Sequence, residues 1–261
     1  MTVLQPTRNR PLAHPEKPSF AQLPANRAVS VGIASYNIQK AIGTDMRRMP
    51  TRTLAVIDEI GADIIVLQEA DRRFGSRLSA LPLPLLAAHH WHPVQFETRA
   101  ASIGWHGNAI LVSSRVEVVR HAVLRIPALE PRGAVLADLR VDGALLRVVG
   151  MHLDLSGLWR RRQARAIIAH VAAQPGNPPT LLMGDLNEWR VSAGAIADFS
   201  RNYSVIPTGP SFHARMPIAA LDRIFVSGDL ALEGAGVHHS VRSVVASDHL
   251  PIWVRLGLNI D

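Results

Sequence analysis

Along this chain the apolar residues fall into short runs that close on a polar or ionisable residue, broken by a few stretches at helical spacing. Residues 31–37 read as a strand that finishes in Asn37. Residues 51–60 carry Leu54, Ile57 and Ile60 in an amphipathic turn pattern, a helix that Gly61 ends. Residues 63–69 follow as a buried strand reaching Glu69. A strand, a helix and a second strand of these lengths form a crossover that lays both strands in one sheet.

The middle of the chain is richer in strands. Residues 108–113, 116–126, 134–139 and 145–152 are apolar and often branched, with turn signals at Pro131-Arg-Gly133 and Asp142-Gly143, the latter predicting a hairpin. Residues 158–173 form the clearest helical pattern, stopped by Pro175-Gly176, with Arg160, Arg161, Arg162 and Arg165 mostly on its polar face. That helix feeds the strand ending at Asp185. A shorter helix is expected at 191–199, then strands at 221–226, around 232–238 and at 251–256. Residues 1–28 hold Pro6, Pro11, Pro15, Pro18 and Pro24 without an apolar period and read as a flexible extension, leaving 29–261 as a single domain. Hairpins mixed with crossovers predict two sheets face to face with helices outside, and no internal repeat or heptad pattern competes with this.

Composition narrows the chemistry. A chain of 261 residues that is 48% hydrophobic can bury a sizeable core. It has no apolar run of about 18 residues, and the most apolar segment, near Leu81, is interrupted by Pro82 and Pro84. Residues 1–26 lack the apolar core of a secretory leader, so the expected location is cytoplasmic. The absence of cysteine excludes disulfides, thiolate catalysis and sulfur-ligated zinc, and any metal must be held by oxygen or imidazole. The formal charge is +7, nearly all the basic residues being arginine; Lys17 and Lys40 are the only lysines. Such an excess suits an anionic partner, whether nucleic acid, phospholipid head group or phosphate ester, and equally follows from an arginine-rich genome.

The candidate chemistry sits where strands end. Leu181 to Met183 close a buried strand, Gly184 permits a tight backbone, and Asp185 and Asn187 leave on the same side with Leu186 between them. A carboxylate and a carboxamide so placed can orient a water or bind a hard cation, although Gly-Asp-Leu-Asn is also an ordinary turn. Asn37, Glu69, His152 and Asp222 terminate strands in the same way, and Ser247-Asp-His249 precedes the last one. A carboxylate at the end of so apolar a strand as Glu69's must be paired, metal-bound or solvated.

Taken in order, Ser35-Tyr-Asn-Ile38, Val66-Leu-Gln-Glu69, Gly107-Asn-Ala-Ile-Leu-Val-Ser113, Met151-His-Leu153, Gly184-Asp-Leu-Asn-Glu188, Leu221-Asp-Arg-Ile224 and Ser247-Asp-His-Leu-Pro251 resemble the ordered motifs of the endonuclease/exonuclease/phosphatase superfamily. The resemblance spans roughly residues 30–258. It implies a four-layer α/β/β/α sandwich of two mixed, mainly antiparallel sheets and metal-dependent hydrolysis of a phosphoester, with Mg2+ as cofactor and Mn2+ as a possible substitute. On that resemblance Glu69 is the main metal ligand, with Asn37 beside it and Asp248 near or on the metal. Asp185 orients or deprotonates the attacking water and Asn187 holds that water or a phosphate oxygen. His249 binds the phosphate with Asp222 as its carboxylate partner, and His152 is a second imidazole on the phosphate or leaving group. Asn108 and Arg132 are expected on the substrate phosphate. These residue types are also what the reaction requires, since a phosphodiester is anionic and needs charge neutralisation, a placed water and a stabilised leaving oxygen.

The substrate is less constrained. The histidines in Met151-His152-Leu153 and Trp105-His106-Gly107 resemble deoxyribonuclease, sphingomyelinase and phosphatase members more than apurinic-site endonucleases, and the arginine-bearing motifs resemble a compact bacterial subgroup. Trp105, Trp159 and Trp189 fall near the motif-bearing edge, where a tryptophan stacks on a base, meets a lipid interface or caps the core. The leading expectation is a magnesium-dependent phosphodiesterase acting on DNA or another nucleic acid, or on a phospholipid-like diester, with no protein partner. A phosphomonoesterase and a catalytically silent binding module are the alternatives.

Overall fold

The computed structural model describes residues 28–72, 78–96, 102–227 and 230–260. The extension expected over 1–28 lies outside them except for Ala28, which opens the first strand. In chain order the elements are β1 (Ala28–Asn37), α1 (Pro50–Ile60), β2 (Ile64–Gln68), α2 (Leu83–Ala88), β3 (His92–Pro93), β4 (Ala109–Val112), β5 (Val116–Leu124), β6 (Gly133–Val141), β7 (Ala144–His152), α3 (Gly157–Ala172), β8 (Thr180–Asp185), α4 (Ala195–Phe199), β9 (Ser204–Ile206), β10 (Asp222–Val226), β11 (Ala231–Val237), α5 (Ser243–Ala246) and β12 (Ile252–Asn259).

They assemble into two six-stranded sheets, ordered β11-β12-β1-β2-β4-β3 and β5-β6-β7-β8-β10-β9. Each sheet contains one parallel pair, β1 with β2 and β7 with β8, and its other pairings are antiparallel. The parallel pairs are the crossovers through α1 and α3, which lie on the outer faces. Val31, Ile33, Ile64, Val66 and Ile110 meet Val135, Val148, Leu181, Met183 and Ile224 in the core between the sheets. Ala34, Tyr36, Ile65 and Leu67 face outward under α1, and Val149, Met151, Leu182 and Phe225 face α3 and α4. Four layers follow from strands buried on both faces, each strand alternating its residues between two cores.

Glycine is required at two close approaches, one between the sheets at Gly150 and one between neighbouring strands of the second sheet at Gly184. A Cβ on Gly150 would lie 2.5 Å from Val66 Cγ1, and one on Gly184 (φ 147°) would lie 1.9 Å from the carbonyl oxygen of Met151.

Several expected boundaries move. The helix expected at 191–199 is confined to Ala195–Phe199, because Gly194 takes a positive φ that interrupts the turn before it. The strand expected through Glu69 stops at Gln68, and Glu69 itself has φ 54°. Arg160 is not on a polar face: it is buried beneath α3, with Nε donating to Glu188 Oε2 at 3.2 Å. Pro84 does not prevent a helix near Leu81, since it occupies the first turn of α2, where the missing N–H costs nothing.

Candidate active site

Period-2 alternation places the functional side chains. In β1 the residues facing the other sheet run 31, 33, 35, 37; in β7 they end at 152, in β8 at 185, and in β10 the series 226, 224 begins at 222. Asn37, His152, Asp185 and Asp222 therefore stand at one end of the core between the sheets, where its apolar pairs give out. Register aligns them further: His152 and Asp222 both pair with Asp185, and Asn37 pairs with Gln68, the residue before Glu69.

Asp185 is the hub. Its Oδ2 accepts from Asn37 Nδ2 at 3.0 Å and lies 3.3 Å from His152 Nε2 and 3.7 Å from His249 Nε2. Its Oδ1 accepts the backbone N–H of Asn187 at 2.9 Å. Burial works against the carboxylate charge, but the imidazoles of His249 and His152 and the Asn187 N–H outweigh it and hold this group well below the usual carboxylate range. It is a buried anion fixed among donors.

His249 complements it. Nδ1 donates to Asp222 Oδ2 at 2.8 Å, and Asp222, fully buried, also accepts from Ser211 Oγ. Burial alone would lower the imidazole, yet Asp222 first and then Asp185 and Asp248 push it up to about 10. At neutral pH His249 is thus an imidazolium whose second N–H points toward Asp185. His152 sits on the opposite side of Asp185, with Arg132 Nη1 packed 2.9 Å from its Nδ1.

The expected metal residues gather beside this cluster. Ser247 Oγ donates to the Asn37 carbonyl at 2.7 Å, which brings Asp248 to the end of β1 next to the β2 end that carries Glu69. Lys40 Nζ is hydrogen-bonded to Glu69 Oε2. Glu69, Lys40, Asp71, His106, Arg132 and His152 line one cleft. Glu69, Asp248 and the Asn37 carboxamide supply oxygen donors of the type a hard divalent cation takes, and at present Lys40 donates to Glu69 and the Gln39 N–H to the Asn37 oxygen. One ligand atom each from Asp185, Asp222 and His249 also lie within 4.8 Å of one another. The same three residues are joined by the His249–Asp222 hydrogen bond and the His249–Asp185 ion pair.

Two expected phosphate contacts are placed differently from the rest. Asn108 is buried with Nδ2 donating to the carbonyls of Gly133 at 3.0 Å and Trp105 at 3.3 Å, and its Oδ1 has no partner among the described residues. Its donor is thus committed to backbone, and the free atom is an acceptor. Asn187 likewise gives Nδ2 to the Leu153 carbonyl at 3.0 Å. Among the tryptophans, Trp105 packs against the core between the sheets beneath Arg125, Trp159 lies under Arg162, and Trp189 is exposed. The site includes residues that the strand pattern does not reveal. Ser211 orients Asp222 from a loop, and Lys40 reaches Glu69 from a single 3-10 turn. Only the rarity of lysine in this chain marked Lys40, and nothing marked Ser211.

Comparison with known proteins agrees with this architecture. The model of the endonuclease/exonuclease/phosphatase family matches residues 34–249. YbhP of Escherichia coli, an uncharacterized protein, is 25% identical over 268 residues, covering 88% of this chain and 97% of its own. An endonuclease/exonuclease/phosphatase from Bacteroides vulgatus superposes with a TM-score of 0.69 at 19% identity, over 88% of this chain and 100% of its own. TDP2 of Danio rerio, humanized by 14 mutations, gives 0.68 at 16% identity, over 87% of this chain and 98% of its own. A mannosyl-6-phosphatase of Bacteroides thetaiotaomicron gives 0.65 at 20% identity, over 87% and 99%. With the family's motifs matched from the first strand to His249 and its sandwich shared with these structures, this chain belongs to the endonuclease/exonuclease/phosphatase family of phosphoester hydrolases.

Proposed function

We propose that the protein is a magnesium-dependent phosphodiesterase in which Asp185 directs water at a phosphorus atom. The observation that carries the reading is the buried line Asp222, His249, Asp185, His152, with a cationic imidazole on one side of an anionic carboxylate. Asp185 accepts a hydrogen bond from the water and aims its lone pair; so acidic a carboxylate favours orienting the water over retaining its proton. His249, held by Asp222, presents its Nε2–H to a non-bridging phosphate oxygen. His152, with Arg132 against its ring, lies across the site, where it and the guanidinium meet the departing group or the phosphate. Glu69, Asn37 and Asp248 would hold the Mg2+, with Mn2+ able to substitute. When bound, the ion supplies charge neutralisation at the phosphate and stabilises the leaving oxygen. Asn187 steadies the loop that donates to Asp185, and Asn108 holds the β4 and β6 backbones around the cleft.

The buried, charge-paired site favours an enzyme over a silent binding module, because a buried anion between imidazoles is expensive to retain without use. Among the similar structures are a mannosyl-6-phosphatase and a TDP2 solved with a single-strand DNA product, so monoesters and nucleic acid are the competing substrate classes to test. The test is hydrolysis of bis(p-nitrophenyl) phosphate, p-nitrophenyl phosphate, plasmid DNA and a phospholipid panel, with Mg2+, Mn2+ or EDTA and with Asp185→Asn as control. Diester cleavage that needs both metal and Asp185 is expected. Cleavage of the monoester alone would replace the reading with a phosphatase, and metal-independent turnover would remove it.

A further inference from the structure

Four arginines of the described chain are at least nine-tenths buried, and three of them have carboxylates. Arg147 is paired with Asp138, Arg160 with Glu188 and Arg132 with Glu130. Arg223 is different. It is only 8% exposed, its one hydrogen bond is a long 3.4 Å donation to the carbonyl of Asp222, and it makes no ion pair among the described residues. Asp222 and then Glu188 attract it from a distance, but Asp222 is engaged by His249 and Ser211, and Glu188 by Arg160 and the Arg190 N–H. A guanidinium buried without an anion is costly, and such groups are ordinarily compensated.

Its surroundings indicate what would compensate it. Being next to Asp222 on β10, Arg223 faces away from the catalytic cluster into a groove on the outer face of the second sheet. The groove is walled by Trp189, Val191, Ile206, Pro210 and Ile218, an apolar lining in which Arg223 is the only charged residue among the described residues. Three of these are far more open than a monomeric surface needs, Trp189 at 63%, Ile218 at 74% and Val191 at 83% exposed. A chain of aromatic rings connects the groove to the active site. Phe212 packs 4.9 Å from the His249 ring and edge-on to Trp189 at 6.0 Å, so the three rings lead from the phosphate-binding imidazole to the groove mouth.

We propose that this groove is a substrate subsite for an apolar or aromatic body carrying a second anionic group, with Arg223 as the residue that receives the anion and Trp189 as the wall beside it. As a substrate subsite it rests on the hydrolase reading above. Charge complementarity fixes the occupant's chemistry: an uncharged chain would leave the guanidinium unpaired, and a small inorganic anion would leave the apolar walls uncovered.

The probe is 1-anilinonaphthalene-8-sulfonate, titrated by fluorescence into the full chain beside its uncharged relative N-phenyl-1-naphthylamine. Saturable sulfonate binding is expected, weakened about tenfold by Arg223→Gln, while the uncharged dye changes by less than about twofold. Unchanged sulfonate affinity in a natively folded Arg223→Gln overturns the subsite. Should that variant fail to fold, Ile218→Glu on the exposed rim decides, since a carboxylate there repels the sulfonate and unaltered binding again overturns the proposal. For the substrate role, p-nitrophenyl 5-sulfo-1-naphthyl phosphate should exceed p-nitrophenyl 1-naphthyl phosphate in kcat/KM by about tenfold, a preference that Arg223→Gln erases. Equal turnover of the two esters by the wild type overturns that role. Turnover of neither defeats the hydrolase reading alone, and the dye titration still judges the groove.

Discussion

Replacing Asp222 by asparagine preserves the side chain's shape and removes its charge from a fully buried position 2.8 Å from His249 Nδ1. Two charges about 4 Å apart at an effective dielectric of about 20 interact by roughly 4 kcal/mol, and the carboxamide oxygen of the variant keeps part of the hydrogen bond. At about 1.4 kcal/mol per pH unit, His249 should then titrate some two to three pH units lower. That moves it from about 10 to roughly 7 to 8. The imidazole Cε1–H resonance, assigned with His249→Gln and followed by NMR in EDTA, reads this directly. If turnover needs the imidazolium, the wild-type rate holds to about pH 9 while the variant's falls tenfold per unit above about pH 8.

Stability follows with a definite sign. The folded value lies above the ordinary 6.5, so the contribution is complete below 6.5 and is lost as pH rises through about 10. The variant loses its smaller share earlier. Wild type should therefore exceed Asp222→Asn by on the order of 3 kcal/mol near pH 6.5, and the difference should close as pH approaches about 10. A His249 that still titrates near 10 in the variant, or a stability difference that grows with pH, would refute the electrostatic account.

Other consequences are simpler to check. Asp185→Asn keeps one oxygen, which can still accept the Asn187 N–H, and loses the acceptor facing Asn37, so circular dichroism should stay near native while kcat drops at least about a hundredfold; wild-type turnover would exclude Asp185 from the mechanism. Glu69→Gln should raise the Mg2+ concentration needed for half-maximal rate about tenfold, and a superimposable metal titration would refute its role as ligand. Far from the site, Asp138 takes Arg147 at 2.7 Å and is held below the usual carboxylate range, burial being outweighed by Arg147 and Arg120. Asp138→Asn leaves the buried Arg147 short of its anion and should cost about 2–4 kcal/mol, or some 5–15 °C in Tm, with activity per folded molecule retained. Because that carboxylate's contribution is present above its ordinary 3.8 and lost as pH falls below it, the Tm difference should close in acid.

The sequence by itself determined the strands, their alternation and the residues on which they end. Buried strands must read as apolar runs, so Ile64 to Leu67 or Leu181 to Met183 could be little else, and the polar residue that breaks each run marks where the core stops. Asn37, His152, Asp185 and Asp222 were legible for that reason. Boundaries governed by a single backbone angle were not: Gly194 shortens α4, and Glu69 turns out of β2 at a positive φ that no pattern of polarity encodes. Partners chosen across the fold were equally hidden. Whether an arginine on a helix faces solvent or a buried carboxylate depends on what packs above it, which is why Arg160 read as surface while it is locked onto Glu188. Tertiary structure alone decided that Asp185 lies between two imidazoles, that Ser211 holds Asp222, and that Arg223 is buried without an ion pair among the described residues. Those facts depend on segments tens to hundreds of residues apart meeting at one end of a sandwich, and period and spacing describe only what is near in the chain.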